Sequence, residues 1–137
     1  MPIDMKFIDD AKMLATVLSG RVTFRDLLAH NDDVQQMLAS REVEIRIMDL
    51  SGLTDPDISS DQISELAETN RDVIHEHPVK DMLVIASQDV QYGLCRMWEA
   101  FGGFESDALK IFRTAQEADE YLNKHYGISL PPFFKPV

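Results

Sequence analysis

The sequence is poor in cysteine and in long apolar runs. Its 137 residues include one cysteine, Cys95, which excludes an intramolecular disulfide framework and a zinc site built from several cysteines. The longest uninterrupted aliphatic run, at residues 82–86, is far shorter than the roughly 20 residues that a membrane-spanning helix needs. The amino-terminal segment has no basic stretch followed by an apolar one and predicts no signal peptide. We therefore expect a cytoplasmic protein that does not insert into membranes.

Basic residues are scarce as well. Lys and Arg together number 13 against 24 Asp and Glu, which gives a net charge of −11 with neutral histidines. Nucleic-acid-binding modules usually carry a basic patch, and anionic lipid surfaces attract basic segments. The charge therefore argues against nucleic acid and anionic membranes as partners.

Motifs that would indicate an enzyme or a metal site are also missing. The sequence has no Gly-x-Ser-x-Gly elbow, Walker loop, dinucleotide glycine fingerprint or His-Glu-x-x-His pair. His75 and His77 lie two positions apart, which on a helix turns their side chains about 200° from each other. His30 and His125 are expected singly on helix surfaces, and the acidic segment 55–61 lacks the remaining ligands of an EF-hand. We expect no catalytic residue, no metal and no cofactor.

Hydrophobic periodicity predicts five strands and four helices. The strands are expected at residues 3–7, 13–18, 43–48, 82–86 and 109–111. Apolar stripes with helical spacing follow the second to fifth strands, and three of these helices begin at the capping residues Thr23, Ser59 and Thr114. Residues 49–57 are rich in turn formers and are expected to be a loop. The order ββαβαβαβα predicts one α/β domain with a mostly parallel five-stranded sheet and an antiparallel edge strand.

The two faces of this sheet are expected to differ. Strands one, three and five alternate in hydrophobicity, whereas strands covered on both faces usually form continuous apolar runs. We therefore expect most helices on one face. The other face would keep charged side chains, be partly open or shared with a second subunit, and include Lys6, Glu44, Arg46 and Lys110.

The segment after the third strand resembles a known family. Residues 49–53 read Asp-Leu-Ser-Gly-Leu, and Ser59 and Ser60 follow at a helix start. This pattern resembles the STAS fold of anti-sigma-factor antagonists, in which a serine at the helix start is phosphorylated. The resemblance places that serine on Ser59, although the glycine that follows the serine pair in the family is Asp61 here.

A second likeness covers nearly the whole chain. Residues 89–97 read Asp-Val-Gln-Tyr-Gly-Leu-Cys-Arg-Met, and residues 111–113 read Ile-Phe-Arg before Glu117 and Ala118. This ending is similar to that of bacterial STAS-like and SEC14-like proteins. The resemblance implies a single STAS-like domain over residues 1–127, followed by an apolar arm at 128–137.

Two groups of residues are candidate sites. A phosphate on Ser59 or Ser60 would lie at a helix N-terminus, where free N–H groups favour negative charge, but the pair also reads as a simple capping box. Asp89, Tyr92 and Arg96 open a helix beside the carboxyl end of a central strand, where α/β sheets usually bind ligands. Arg96 could hold an anion there, or Asp89 could be an N-cap and Arg96 a surface residue.

The carboxyl-terminal arm, residues 128–137, contains three prolines and two adjacent phenylalanines. Prolines exclude a helix, and adjacent aromatic side chains are unusual in water. We expect the arm to lie extended on its own sheet face or on a second subunit, unless it is a frayed terminus.

These features together predict a non-catalytic binding or regulatory module that has a protein partner or self-associates. A homodimer would form through the sheet face or through residues 128–137. The alternative is a carrier of a small apolar or anionic ligand, as the SEC14 likeness implies. A weaker alternative is an anti-sigma-factor antagonist switched by phosphorylation.

Overall fold

The computed structural model describes residues 2–102 and 108–131. The element order ββαβαβαβα is confirmed. The strands are β1 (Ile3–Ile8), β2 (Met13–Thr23), β3 (Ile45–Asp57), β4 (Asp81–Ile85) and β5 (Leu109–Phe112). The helices are α1 (Phe24–Ser40), α2 (Ser60–Glu76), α3 (Asp89–Ala100) and α4 (Ala115–Tyr126).

The strands form one sheet in the order β1-β2-β3-β4-β5. β1 pairs antiparallel with β2, and the other three pairs are parallel. The predicted mostly parallel sheet with an antiparallel edge strand is therefore confirmed. Within the described residues, no helix has both the length and the apolar character to cross a membrane.

Capping residues define where α1 and α2 begin. The Thr23 hydroxyl accepts the Asp26 N–H at 3.2 Å, and the Asp26 carboxylate accepts the Thr23 N–H at 2.9 Å. Ser59 and Gln62 form the same reciprocal pair at 3.2 and 2.9 Å. Two otherwise orphaned N–H groups are satisfied in each pair, which fixes the start of the helix. At α3, in contrast, Asp89 is the first helical residue and Gln88 the cap, so the N-cap interpretation of Asp89 is wrong by one position.

The expected loop at residues 49–57 is wrong, because the whole segment belongs to β3. Its outer half pairs with β2 from Gly52 to Asp57, and β3 has one extra residue at each of two register shifts, between Asp49 and Gly52 and between Leu53 and Asp55. β4 pairs only with the first half of β3, so the outer half has one neighbour. Pro56 is tolerated there because a strand with one neighbour needs N–H donors on one side only. We call this extended β2–β3 pair the overhang.

Helices cover both faces of the sheet unequally. Ile45, Ile47 and Leu83 pack with Ala118 and Leu122 of α4 on one face. The other face carries the other three helices, through Leu27 and Val34 of α1, Val73 of α2 and Cys95 of α3. The expectation of helices mainly on one face agrees with this three-to-one division.

The expected row of charged side chains on one sheet face is wrong at Arg46, whereas Lys6 and Lys110 pair in register with Ala15 and Leu83, which face the α4 side. Arg46 is 6% exposed and lines a cavity under the helices, so its assignment to the open face is wrong. The alternation of apolar and polar residues in β3 does not mark an open face. Its polar residue Arg46 points toward the cavity under α1, α2 and α3. Lys6 alternates with Met5 and Phe7 on β1 and is exposed.

Polar contacts attach α4 and the following segment to the sheet. Tyr121 donates a hydrogen bond to the Asp81 carboxylate at 3.0 Å, and Tyr126 donates to the other oxygen. Beyond α4, Leu130 is 3% exposed in the α4-side core, and its N–H donates to Asp119 Oδ1 at 2.6 Å. Residues 132–137, with both phenylalanines of the arm, lie outside the described residues, so their packing on this domain or on a second subunit stays a prediction.

Candidate functional site

A cavity of about 100 Å³ lies between the sheet and helices α1, α2 and α3. Most of its wall is apolar. β2 and the overhang of β3 contribute Val22 and Leu53, β4 contributes Val84, and the helices contribute Leu27 and Leu94. The overhang can form this part of the cavity wall because β2 and β3 continue past the end of β4. Open α/β sheets usually bind ligands beyond the carboxyl ends of their strands, which is where this wall stands.

Arg46 of β3 brings a positive charge into this apolar cavity. Its neighbours Ile45 and Ile47 point to the α4 side of the sheet, so the alternation of the strand points Arg46 to the cavity side. Among the described residues, no carboxylate forms an ion pair with Arg46. Burial alone lowers the pKa of its guanidinium to about 10, which leaves it charged at neutral pH.

Two adjacent residues of α1 face the same cavity. His30 and Asn31 are 5% and 8% exposed. Within the described part of the chain, His30 Nε2 and Asn31 Nδ2 have no hydrogen-bond partner. Burial and then the charge of Arg46 lower the pKa of His30 to about 4, so the imidazole is neutral at pH 7. The expectation that His30 lies on a helix surface is therefore wrong.

Other polar side chains complete the cavity. Asn70 of α2 and Trp98 of α3 line it, together with Cys95. Burial and then the nearby charge of Glu99 raise the pKa of the Cys95 thiol to about 12. A thiol is nucleophilic as its thiolate, so Cys95 behaves here as a small wall residue.

The three candidate ligand residues of α3 are not brought to one point. Asp89 pairs with Arg113 at 2.7 Å, and the Arg113 guanidinium lies 5.1 Å from the centre of the Tyr92 ring. Arg96 pairs instead with Glu99 at 3.1 Å, one turn further along the helix. Arg113, at the end of β5, was missed because nothing in the sequence shows that β5 ends beside the start of α3. An anion site on Asp89, Tyr92 and Arg96 stays a prediction.

The candidate phosphorylation residues Ser59 and Ser60 are exposed at the start of α2. Ser59 is the capping residue, and Ile58 and Ile63, on either side of it in sequence, line the cavity. The acidic residue Asp57, which precedes them on the overhang, forms an ion pair with Arg21.

The cavity residues were missed, although the sequence contains one signal for them. The apolar stripe of α1 contains Leu27, Val34 and Leu38, and His30 and Asn31 occupy the turn between the first two. Polar residues at core positions of a helix are either paired or functional. Arg46 has a similar signal, since it lies between two buried isoleucines of a central strand.

Comparison with known proteins identifies the fold. Neither a family model nor a curated protein sequence matches this chain. The structure is similar to that of the anti-sigma factor antagonist SpoIIAA in its unphosphorylated form, with a TM-score of 0.61 and 9% identity over 92% of this chain and 99% of that one. It is also similar to an uncharacterised protein of the DUF3478 family from Shewanella loihica PV-4 with a SpoIIAA-like fold. That TM-score is 0.55, with 19% identity over 88% of this chain and 91% of that one.

Both matches cover most of this chain and nearly all of the other chain. At these identities the likeness concerns the fold, and the residues of the cavity are described by this chain alone. The predicted STAS-like fold is therefore confirmed, and the chain has a fold similar to that of SpoIIAA.

Proposed function

We propose that the protein is a non-catalytic binding module that holds a small, largely apolar molecule in the cavity under α1, α2 and α3. The observation that carries the proposal is an apolar wall combined with two buried polar atoms, His30 Nε2 and Asn31 Nδ2, that no described residue satisfies. A buried polar group without a hydrogen-bond partner costs about 1–3 kcal/mol. A molecule that lies against the apolar wall and bonds to α1 would remove that cost.

The chemistry of the cavity supports binding over covalent catalysis. Cys95 contributes a thiol to the cavity wall, and burial keeps this thiol protonated by raising its pKa to about 12. His30 is neutral at pH 7, but the charge it would gain as a general base is opposed by Arg46 beside it. Neither side chain is therefore poised for proton transfer or nucleophilic attack.

Small apolar probes test the proposal. Toluene and indole are titrated into isotopically labelled protein, and the methyl signals of Leu27 and Leu53 are followed by NMR. We expect saturable shifts in the wild type and none in Val84→Phe, because the new ring occupies the cavity. Val17→Phe is the matched control, since Val17 packs on the α4 side of the sheet, and it is expected to bind both probes.

Thermal unfolding shows that the variants are folded. Val84→Phe directs its larger ring into the cavity, so it is expected to fold with a melting temperature close to that of the wild type. If it does not fold, Leu94→Phe blocks the cavity from the helix side. Unchanged methyl signals at saturating toluene and indole in the wild type would disprove the proposed function.

A second candidate function is interaction with a protein partner controlled by phosphorylation of Ser59, as the likeness to an anti-sigma factor antagonist suggests. The observation that favours it is that Ile58 and Ile63, on either side of this exposed serine, line the cavity. The intact mass of protein purified from its own cells tests it. We expect the added mass of one phosphate, absent from Ser59→Ala and retained in Ser60→Ala.

A further inference from the structure

The molecule held in the cavity is, we infer, a small apolar monocarboxylate whose negative charge pairs with the Arg46 guanidinium. This inference rests on the proposed function and adds the chemical class of the ligand. It is carried by the position of Arg46, which is 6% exposed, lines the cavity and forms no ion pair with any described carboxylate.

A buried charge without a counter-ion is costly. Removing a guanidinium from water carries a penalty of several kcal/mol, and only a paired negative charge with good geometry offsets it. The buried carboxylate on the same strand, Asp49, forms no ion pair with Arg46 and instead accepts hydrogen bonds from the N–H and the hydroxyl of Ser51. No described residue therefore supplies a counter-ion to Arg46.

The cavity suits one negative charge and no more. Of the described residues that line it, Arg46 is the cation at neutral pH, because His30 is neutral there. A phosphate ester carries close to two negative charges and usually binds several cations or a helix N-terminus. A carboxylate carries one charge, and its two oxygens match the fork of a single guanidinium.

The side chains beside Arg46 fit a carboxylate as well. Asn31 Nδ2 is a donor with no partner among the described residues, so it can donate to a carboxylate oxygen. His30 can donate from Nε2 in one tautomer, which is available to it as a neutral imidazole. One carboxylate would thus pair with the Arg46 guanidinium and accept hydrogen bonds from Asn31 Nδ2 and His30 Nε2.

The cavity volume limits the apolar part of the ligand. An apolar cavity of about 150 Å³ in another protein binds benzene. The cavity here measures about 100 Å³ and opens to the solvent, so part of a bound molecule can lie at its mouth. One small ring or a short aliphatic chain is therefore the largest apolar part that suits it, and a long acyl chain does not. Benzoate and hexanoate are therefore suitable probes.

The experiment compares each acid with its uncharged counterpart of nearly equal shape. Calorimetry and NMR titration at pH 7 measure the affinity for benzoate against benzamide and for hexanoate against hexanamide. We expect the acid to bind about tenfold more tightly or better in the wild type, because a hydrogen bond to a charged group is worth more than a neutral one. The NMR titration of His30 gives a second readout, since a bound anion offsets the charge of Arg46 and raises the imidazole pKa.

Arg46→Met removes the charge and keeps an apolar stem of similar length. It is expected to bind toluene and the two amides as the wild type does, and to lose the preference for the acids. Arg41→Met is the matched control, because Arg41 is exposed after α1 and pairs with Asp9, and it should keep that preference. Toluene binding in Arg46→Met also shows that the variant has folded with its cavity intact.

The outcomes separate the two proposals. Equal affinity for acid and amide in the wild type, with toluene still bound, overturns the carboxylate and leaves the proposed function standing. A preference for the acids that survives in Arg46→Met overturns the role of Arg46. Absence of binding by toluene, acids and amides alike overturns the proposed function itself.

Discussion

The guanidinium of Arg46 on β3 and the imidazole of His30 on α1 line the same cavity, and the charge of the first helps to lower the pKa of the second to about 4. Two cation-forming side chains are thus buried side by side, with no carboxylate of the described residues paired to either. Burial of the charged guanidinium without a counter-ion is costly, and the imidazole stays neutral at pH 7 because its protonation would add a desolvation cost and repulsion from Arg46. In a domain whose surface is strongly acidic, this is an isolated positive region inside the molecule.

The unpaired charge gives a prediction for stability. Arg46→Met is expected to raise the free energy of unfolding of the ligand-free protein by roughly 1–4 kcal/mol, the range for buried ion pairs replaced by apolar residues, because it removes a buried charge that has no described counter-ion. Urea denaturation at pH 7 measures it on protein refolded from denaturant, so that any bound molecule is removed. Arg96→Met, at an exposed pair, should change stability little. A large loss of stability in Arg46→Met would mean that the guanidinium has a strong partner in the folded chain.

His30 gives a prediction for the pH dependence of stability. The unfolded chain binds a proton at His30 near pH 6.5, whereas the folded chain does so only near pH 4. The unfolded state therefore binds more protons in this interval, and stability falls as the pH is lowered from 6.5 to 4. The contribution is about 1.4 kcal/mol per pH unit at most.

The variant His30→Gln isolates this effect. It should remove the contribution of His30 to the slope of unfolding free energy against pH, while His125→Gln, at an exposed position of α4, should leave the slope unchanged. Urea denaturation at several pH values between 4 and 7 measures both. The same slope in His30→Gln and the wild type would contradict a neutral, buried imidazole.

The features that could be predicted from the sequence are those that depend on residues close together in the chain. The start of α2 follows from Ser59 and Gln62, which satisfy each other's backbone N–H groups over three residues, so no distant contact is needed. The extent of β3 could not be predicted in this way. Ser51, Gly52 and Pro56 favour turns locally, and they lie in a strand because β2 supplies a hydrogen-bonded neighbour with two register shifts.

The candidate site could not be predicted either, because it depends on how distant elements pack together. Whether the polar face of β3 meets water or helices is decided by where α1, α2 and α3 pack, and the alternation of one strand does not contain that information. Arg46 was therefore assigned to an open face, and its burial is visible only when the helices are in place. His30 was accessible to prediction in principle, because it interrupts an apolar stripe on α1.

The cap of α2 gives a third prediction, which separates its structural role from a regulatory one. Ser59→Ala removes the hydroxyl that accepts the Gln62 N–H and is expected to destabilise the protein by about 1 kcal/mol. Ser60→Ala, one position later and already inside the helix, should cost only a few tenths of a kcal/mol or nothing. Urea denaturation compares the two. Equal stabilities would show that the capping box contributes little to α2.

The segment after α4 gives the last prediction. Gly127 ends α4 with a φ of +68°, and the chain then returns to the sheet so that Leu130 packs with Met13 and Ala15. Leu130→Ala is expected to destabilise the domain by about 2–5 kcal/mol, the range for a buried leucine truncated to alanine. Ser129→Ala, at the exposed neighbouring position, is the control. Thermal and urea unfolding measure both variants.

The result also decides how the arm relates to the domain. Because the Leu130 N–H bonds to Asp119 of α4, the first residues of the arm are attached by packing and by a hydrogen bond at once. If Leu130→Ala is as stable as the wild type, the segment is only laid on the surface and the domain ends at residue 127. If it is destabilised and light scattering shows an unchanged mass, Leu130 belongs to the core of its own domain, and any self-association through the arm must involve residues beyond it.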